Sequence, residues 1–201
     1  WQPRALMFLD RGLNGLRVLV TNDAGEPLSG RLSVSLERFD GLAVASGELA
    51  LSVPARSVGE VAVEQVVESF VDSAYAYRFG PAGFDLVHAA VDTAEGPLTA
   101  VHVRDGALPA DVEPGQVEVT CTTGAAGDQE LLIGAEAFLH TVVLEIPGAL
   151  PSDNYFHVAP GRPRRVTLRR TSAPGEAPCR IYALNLAGSP LEVDVDVGAH
   201  R

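Results

Sequence analysis

Apolar and polar residues alternate with a period of two along most of this chain. Leu16, Val18 and Val20 alternate with Arg17, Leu19 and Thr21, and Leu32, Val34 and Leu36 alternate with Ser33, Ser35 and Glu37. Leu49, Leu51 and Val53 repeat the pattern, as do Tyr75, Tyr77 and Phe79, then Val87, Ala89 and Val91, then Val101 and Val103. A period of two places alternate side chains on opposite faces of a strand, so these runs predict half-buried strands. Turn chemistry separates them: Asn22–Pro27, Asp40-Gly41, Pro54 and Gly80-Pro81-Ala82-Gly83. One piece, Glu64–Phe70, breaks the period and predicts a short helical turn.

The second half repeats the style but not the residues. Val117, Val119 and Cys121 alternate with Glu118 and Thr120, and Thr122–Asp128 reads as a turn. Glu130–Ile146 is long enough for two strands, or for one with a kink near Gly134-Ala135. Val166 and Leu168 alternate with Arg165, Thr167 and Arg169, and Pro174–Pro178 reads as a turn. Ile181–Leu186 and then Leu191, Val193, Val195 and Val197 predict the last strands. Arg104–Pro114, with prolines, a glycine and acids but no period, predicts a linker. The expectation is an all-β chain of two sandwiches, residues 1–105 and 106–201. About seven strands in the first half suit an immunoglobulin-like sandwich.

Composition narrows the function classes. With 201 residues and 46% apolar content, the chain can bury two cores. No run of roughly 20 apolar residues is present, so no membrane helix is predicted. The net charge is −11 and every basic residue other than histidine is Arg, which argues against a nucleic-acid partner. The basic run Arg162, Arg164, Arg165, Arg169, Arg170 reads first as the solvated face of one strand and second as a surface for an acidic partner. Cys121 and Cys179 are too few for a disulfide scaffold. They are expected as reduced thiols, with a bridge across the sandwich as the alternative, and a cytoplasmic location is favoured over secretion.

The chain offers little chemistry. Its five histidines show no metal-ligand spacing, and no hydrolase elbow or phosphate loop occurs. No catalytic, cofactor or metal residue is assigned. The most distinctive stretch is Leu144–Arg170, in which Pro147-Gly148 leads through Pro151-Ser152-Asp153-Asn154 to Tyr155 and Phe156, then Pro160-Gly161 and a basic strand. It reads as a strand, a corner held by Asp153 and Asn154, and a return strand.

That stretch resembles the C-terminal immunoglobulin-like domain of the β-mannosidase branch of the family 2 glycoside hydrolases. The resemblance extends over Arg4–Leu9, Gly12–Leu16, Val20–Asp23, Glu26–Gly30 and Ala183-Leu184-Asn185. It implies two tandem immunoglobulin-like β-sandwiches that follow a catalytic barrel in a longer polypeptide. In that family two carboxylates about 5 Å apart hydrolyse the substrate. They lie at strand ends of the barrel, so neither has a counterpart in this chain. The resemblance therefore implies a non-catalytic accessory region whose partner is the barrel of the same polypeptide, with no cofactor. Asp153, Asn154, Tyr155 and Phe156 are the candidate contacts for a mannoside glycan or a neighbouring domain. The expected arrangement packs both rings under the corner, and the alternative turns one outward. Two further readings stay open: an autonomous carbohydrate-binding module, and a structural or adhesive tandem sandwich.

Overall fold

The structure, a computed structural model, describes residues 3–68, 71–75, 77, 80, 82–94, 96–123, 129–171 and 178–193. Two compact units divide the chain: Trp1–Arg38 with Leu42–Ala107, and Phe39–Gly41 with Leu108–Arg201. Each holds two antiparallel sheets, so the chain is all-β and builds two tandem sandwiches.

The first unit has seven strands, β1 Arg4–Asp10, β2 Leu16–Asn22, β3 Leu28–Glu37, β4 Ala43–Val53, β5 Ser57–Ala62, β6 Leu86–Asp92 and β7 Leu98–Val103. Its sheets run β1-β2-β5 and β4-β3-β6-β7. Leu6, Leu16, Val18 and Val20 from the first sheet meet Leu32, Val34, Leu36, Val87, Ala89 and Val91 from the second, all buried. The alternation in β2 therefore sorts side chains as predicted. In β3, Ser35 and Glu37, expected on the outer face, are buried instead, and Ser35 Oγ donates to the Glu37 carboxylate.

A short helix, α1 Val63–Val67, closes one end of this core with Val63, Val66 and Val67 buried. The predicted helical turn lies here, and Glu68 ends it with φ 50°. Gly47 of β4 admits the helix, because a Cβ there would stand 1.9 Å from the Val66 carbonyl oxygen. Glu64 of α1 accepts a hydrogen bond from Ser73 Oγ, and that oxygen accepts the Leu16 N–H at 2.9 Å. The same carboxylate fills the space beside Gly15 (φ 77°), where a Cβ would meet it at 2.8 Å. Asn22 ends β2 fully buried, its amide donating to Glu26 O (2.9 Å), Val53 O (3.2 Å) and Pro54 O (3.0 Å).

One strand of this unit goes unpredicted, and one expectation is corrected. Arg4–Asp10 is a strand paired along its length with β2. Its apolar run Leu6-Met7-Phe8-Leu9 carries no period of two, so alternation does not reveal it. Tyr75 and Tyr77 do not form a strand. Asp72 organises a turn there, accepting Tyr75 N–H on its carbonyl at 2.9 Å and Tyr77 N–H on its carboxylate at 2.8 Å, and Tyr75 sits at φ 49°. Phe79 and Pro81 lie outside the described residues.

The second unit comprises β8 Val117–Thr123, β9 Gln129–Ala135, β10 Leu139–Glu145, β11 Ala149–Pro151, β12 Phe156–Val158, β13 Arg164–Arg170, β14 Cys179–Tyr182 and β15 Leu191–Val193. Its sheets run β11-β13-β9-β8 and β12-β10-β14-β15. The pairing scheme repeats that of the first unit: β2–β5 matches β9–β13, β3–β6 matches β10–β14, and β6–β7 matches β14–β15. Leu131, Ile133, Val166 and Leu168 face Val142, Leu144, Phe156 and Ile181 in the core. Glu130–Ile146 resolves into two strands, β9 and β10. Residues 124–128 and 172–177, where turns are predicted, lie outside the described residues, as do Val195 and Val197.

The predicted linker is structured toward its end. Val112 is fully buried. Its N–H donates to Asn185 O at 2.7 Å, and its carbonyl accepts Ala187 N–H at 2.9 Å. Asn185 Nδ2 donates to Ala110 O and Phe138 O, both at 2.8 Å, while its Oδ1 accepts His140 N–H at 2.8 Å. Cys121 is half-buried on β8 and Cys179 buried on β14, and both are thiols.

Two tests follow from the first core. Gly47→Ala should cost about 1–3 kcal/mol in urea unfolding because α1 must move, whereas Gly25→Ala, with nothing within 4 Å of the new Cβ, should cost far less. His102 of β7 packs 5.9 Å from Phe8. Burial lowers its pKa below the ordinary 6.5, against the pull of Asp10 and Asp105. The unfolded chain therefore binds the proton more readily, and stability should fall as pH drops through 6.5 toward the folded value. Urea midpoints across this window should show that loss, and His102→Gln should flatten its share of it.

Candidate functional site

The corner between β11 and β12 carries the four candidate contact residues. Ser152 fastens its entry by donating N–H to Thr167 O at 2.8 Å and accepting Thr167 N–H on Oγ at 3.0 Å. Asp153 Oδ1 accepts the Asn154 N–H at 2.9 Å, and Oδ2 forms an ion pair with Arg164. Asn154 reaches across to β10. Its Oδ1 accepts Leu144 N–H at 2.8 Å and its Nδ2 donates to Leu144 O at 3.1 Å. A side-chain amide so placed offers one donor and one acceptor, as a paired residue of a neighbouring strand would. Asn154 Oδ1 also accepts the Tyr155 N–H at 3.1 Å. Asp153 and Asn154 thus both bond neighbouring backbone of the corner, as expected, and Asn154 holds β10 in addition.

The two rings part company. Phe156 is buried at 8% exposure, with the Arg164 guanidinium 5.6 Å over its ring. Tyr155 is 70% exposed and sits in the left-handed region at φ 62°. The arrangement with both rings packed under the corner is therefore corrected, because that backbone conformation directs one ring out and the next in. Chemically the corner is a stiff polar rim presenting one aromatic face. An exposed tyrosine can stack on the C–H face of a sugar or on another protein surface. Within Ser152–Phe156 Asp153 is the one carboxylate, and it is paired with Arg164.

The remaining basic residues of the run are exposed, Arg165, Arg169 and Arg170 on β13 and Arg162 ahead of it. Arg165 pairs with Glu130. Two further features escape sequence reasoning. Tyr182 of β14 donates its hydroxyl to Glu145 at 2.9 Å, which holds its pKa above the ordinary 10. His140 and His157 stack with ring centroids 5.1 Å apart, beside a bulge in the β10–β12 pairing where Thr141 has φ 54°. His157 Nδ1 accepts Thr141 N–H at 3.1 Å, which places the proton of the neutral ring on Nε2. Seventeen positions separate these histidines, and only strand pairing brings them together. Among the described residues no group of three or more His, Cys, Asp or Glu could hold a metal ion. No helix of the described residues is long and apolar enough to cross a membrane.

No family model matches the chain, and no curated protein sequence matches it. Solved structures do. The β-D-mannosidase of Dictyoglomus thermophilum superposes with a TM-score of 0.66 at 18% identity, covering 92% of this chain and 22% of the mannosidase. The exo-chitosanase of Amycolatopsis orientalis gives 0.60 at 16% identity, covering 95% of this chain and 26% of the chitosanase. At these identities the likeness is one of fold. The chain has the fold of a segment amounting to about a quarter of each enzyme. The fold likeness thus includes a β-D-mannosidase, the kind of enzyme whose branch the sequence resembles.

Removing the Asn154 amide should expose its structural role. Asn154→Ala should cost about 1–3 kcal/mol in urea unfolding, since the Leu144 N–H and carbonyl lose their partner in a half-buried place. Tyr155→Ala should stay within about 0.5 kcal/mol, as expected of an exposed side chain.

Proposed function

We propose that this chain is the non-catalytic accessory region of a larger glycoside hydrolase of β-mannosidase type. On this reading its immunoglobulin-like sandwiches follow the catalytic barrel and pack against it. The observation that carries the reading is the asymmetry of coverage: more than nine-tenths of this chain matches about a quarter of two sugar-cleaving enzymes. The sequence likeness around Asp153-Asn154-Tyr155-Phe156 supports the same class. Hydrolysis of terminal β-mannosides belongs to the barrel of that polypeptide, and this chain contributes stability and surface. No cofactor, nucleic acid or membrane enters the reading.

A second reading rests on Tyr155. Its 70% exposure on a fixed polar corner suits contact with a mannoside glycan, as in an autonomous carbohydrate-binding module. Asp153 and Asn154 would then position Tyr155 while Phe156 anchors the corner from below.

The mass of the native protein in its source cells decides between the two. An immunoblot raised against this chain should show a band several-fold heavier than 21.1 kDa. The purified chain alone should leave a chromogenic β-mannoside uncleaved. A band at 21.1 kDa, with affinity for mannosides abolished by Tyr155→Ala, would replace the first reading with the second.

A further inference from the structure

The sheet β1-β2-β5 is apolar on both faces. Its inner face carries Leu6, Leu16, Val18 and Val20 into the core. The ladder registers place three rows on the other face: Ala5–Thr21–Val58, Met7–Leu19–Glu60 and Leu9–Arg17–Ala62. Six of these nine positions are apolar. Met7 is 43% and Val58 60% exposed, and Ala5, Leu9 and Leu19 are half-buried. An antiparallel sheet with one wet face alternates apolar and polar residues, while strands covered on both sides read as continuous apolar runs. Leu6-Met7-Phe8-Leu9 and Val18-Leu19-Val20 are such runs.

The matching sheet of the second sandwich provides a contrast within the same molecule. Its outward rows are Thr122–Glu130–Thr167 and Thr120–Leu132–Arg165, a polar face suited to water. The apolar face of β1-β2-β5 is therefore not a requirement of the architecture.

We infer that this outer face, centred on Met7 and Leu19, is a docking surface covered by a preceding domain of the same polypeptide. The inference rests on the reading that the chain belongs to a larger hydrolase. Three observations select this occupant. The charges on the face are met within the chain, since Glu60 takes both Arg17 (3.9 Å) and Arg11 (3.5 Å), so the complement is an apolar protein surface rather than a charged ligand. No aromatic residue stands in the three rows, which removes the stacking platform a sugar needs. On that reading roughly three-quarters of the polypeptide lies outside this chain. A domain joined ahead of β1, the strand that carries Ala5, Met7 and Leu9, would be tethered a few residues from the face, at high effective concentration.

Thiol labelling of the full polypeptide tests this. Met7→Cys should react with a maleimide at least roughly tenfold slower than Thr120→Cys on the polar face of the second sandwich, after subtraction of labelling at Cys121 and Cys179. The protection should persist on dilution to nanomolar protein. Equal labelling of the two variants would overturn the inference while leaving the larger hydrolase intact. Protection lost on dilution would assign the face to a second copy and overturn the commitment to a tethered domain. A native protein of only 21.1 kDa would instead overturn the reading beneath it.

Discussion

Antiparallel ladders end in N–H and carbonyl groups that have no neighbouring strand, and buried ends need partners. Three asparagine amides supply them in this chain. Asn22 binds three carbonyls where β2 ends against the turns at Glu26 and Pro54. Asn185 ties the segment at Ala110 to Phe138 and His140. Asn154 pairs with both backbone groups of Leu144. Each amide donates and accepts in one plane, so it substitutes for a piece of backbone where the chain must turn. An aspartate or a leucine of similar size lacks one or both of those functions.

The candidate contact corner depends on one of the hubs. Asn154 fixes the rim to β10, Arg164 clamps Asp153 and covers Phe156, and Tyr155 is left as the exposed group. Its left-handed backbone is held by neighbours that are themselves pinned. A side chain so held is preorganised, which lowers the ordering cost of any contact made through it.

How much of this the residues disclose varies with the element. The alternation in β2 and β13 is clear because each sends one set of side chains into a core, whereas β3 also buries Ser35 and Glu37 and β4 leaves Leu49 exposed. β1 is hidden by its continuous apolar run, which is the property that later marks its outer face. Tyr75 and Tyr77 imitate a strand, but the carbonyl and carboxylate of Asp72 fold them into a turn, an interaction that periodicity cannot register. β11 and β12 have three residues each, too few for any pattern. At the corner, Asp153-Asn154 announces a turn. Which backbone the Asn154 amide would reach depends on β10 lying alongside, a long-range fact. Val112 reads as linker because its neighbours are polar and proline-rich, and only the closure of the second core gives it a burial site.

The two sandwiches share one pairing scheme with no repeat in their residues. Strands of equal rank, such as β2 and β9 or β6 and β14, carry different side-chain sequences into their cores. Tandem domains with interchangeable strands risk exchanging them as they emerge from the ribosome, because a strand from one can complete the sheet of the other. Here a swapped strand would bring mismatched volumes into a close-packed interior, so sequence divergence between the halves acts as a safeguard during synthesis.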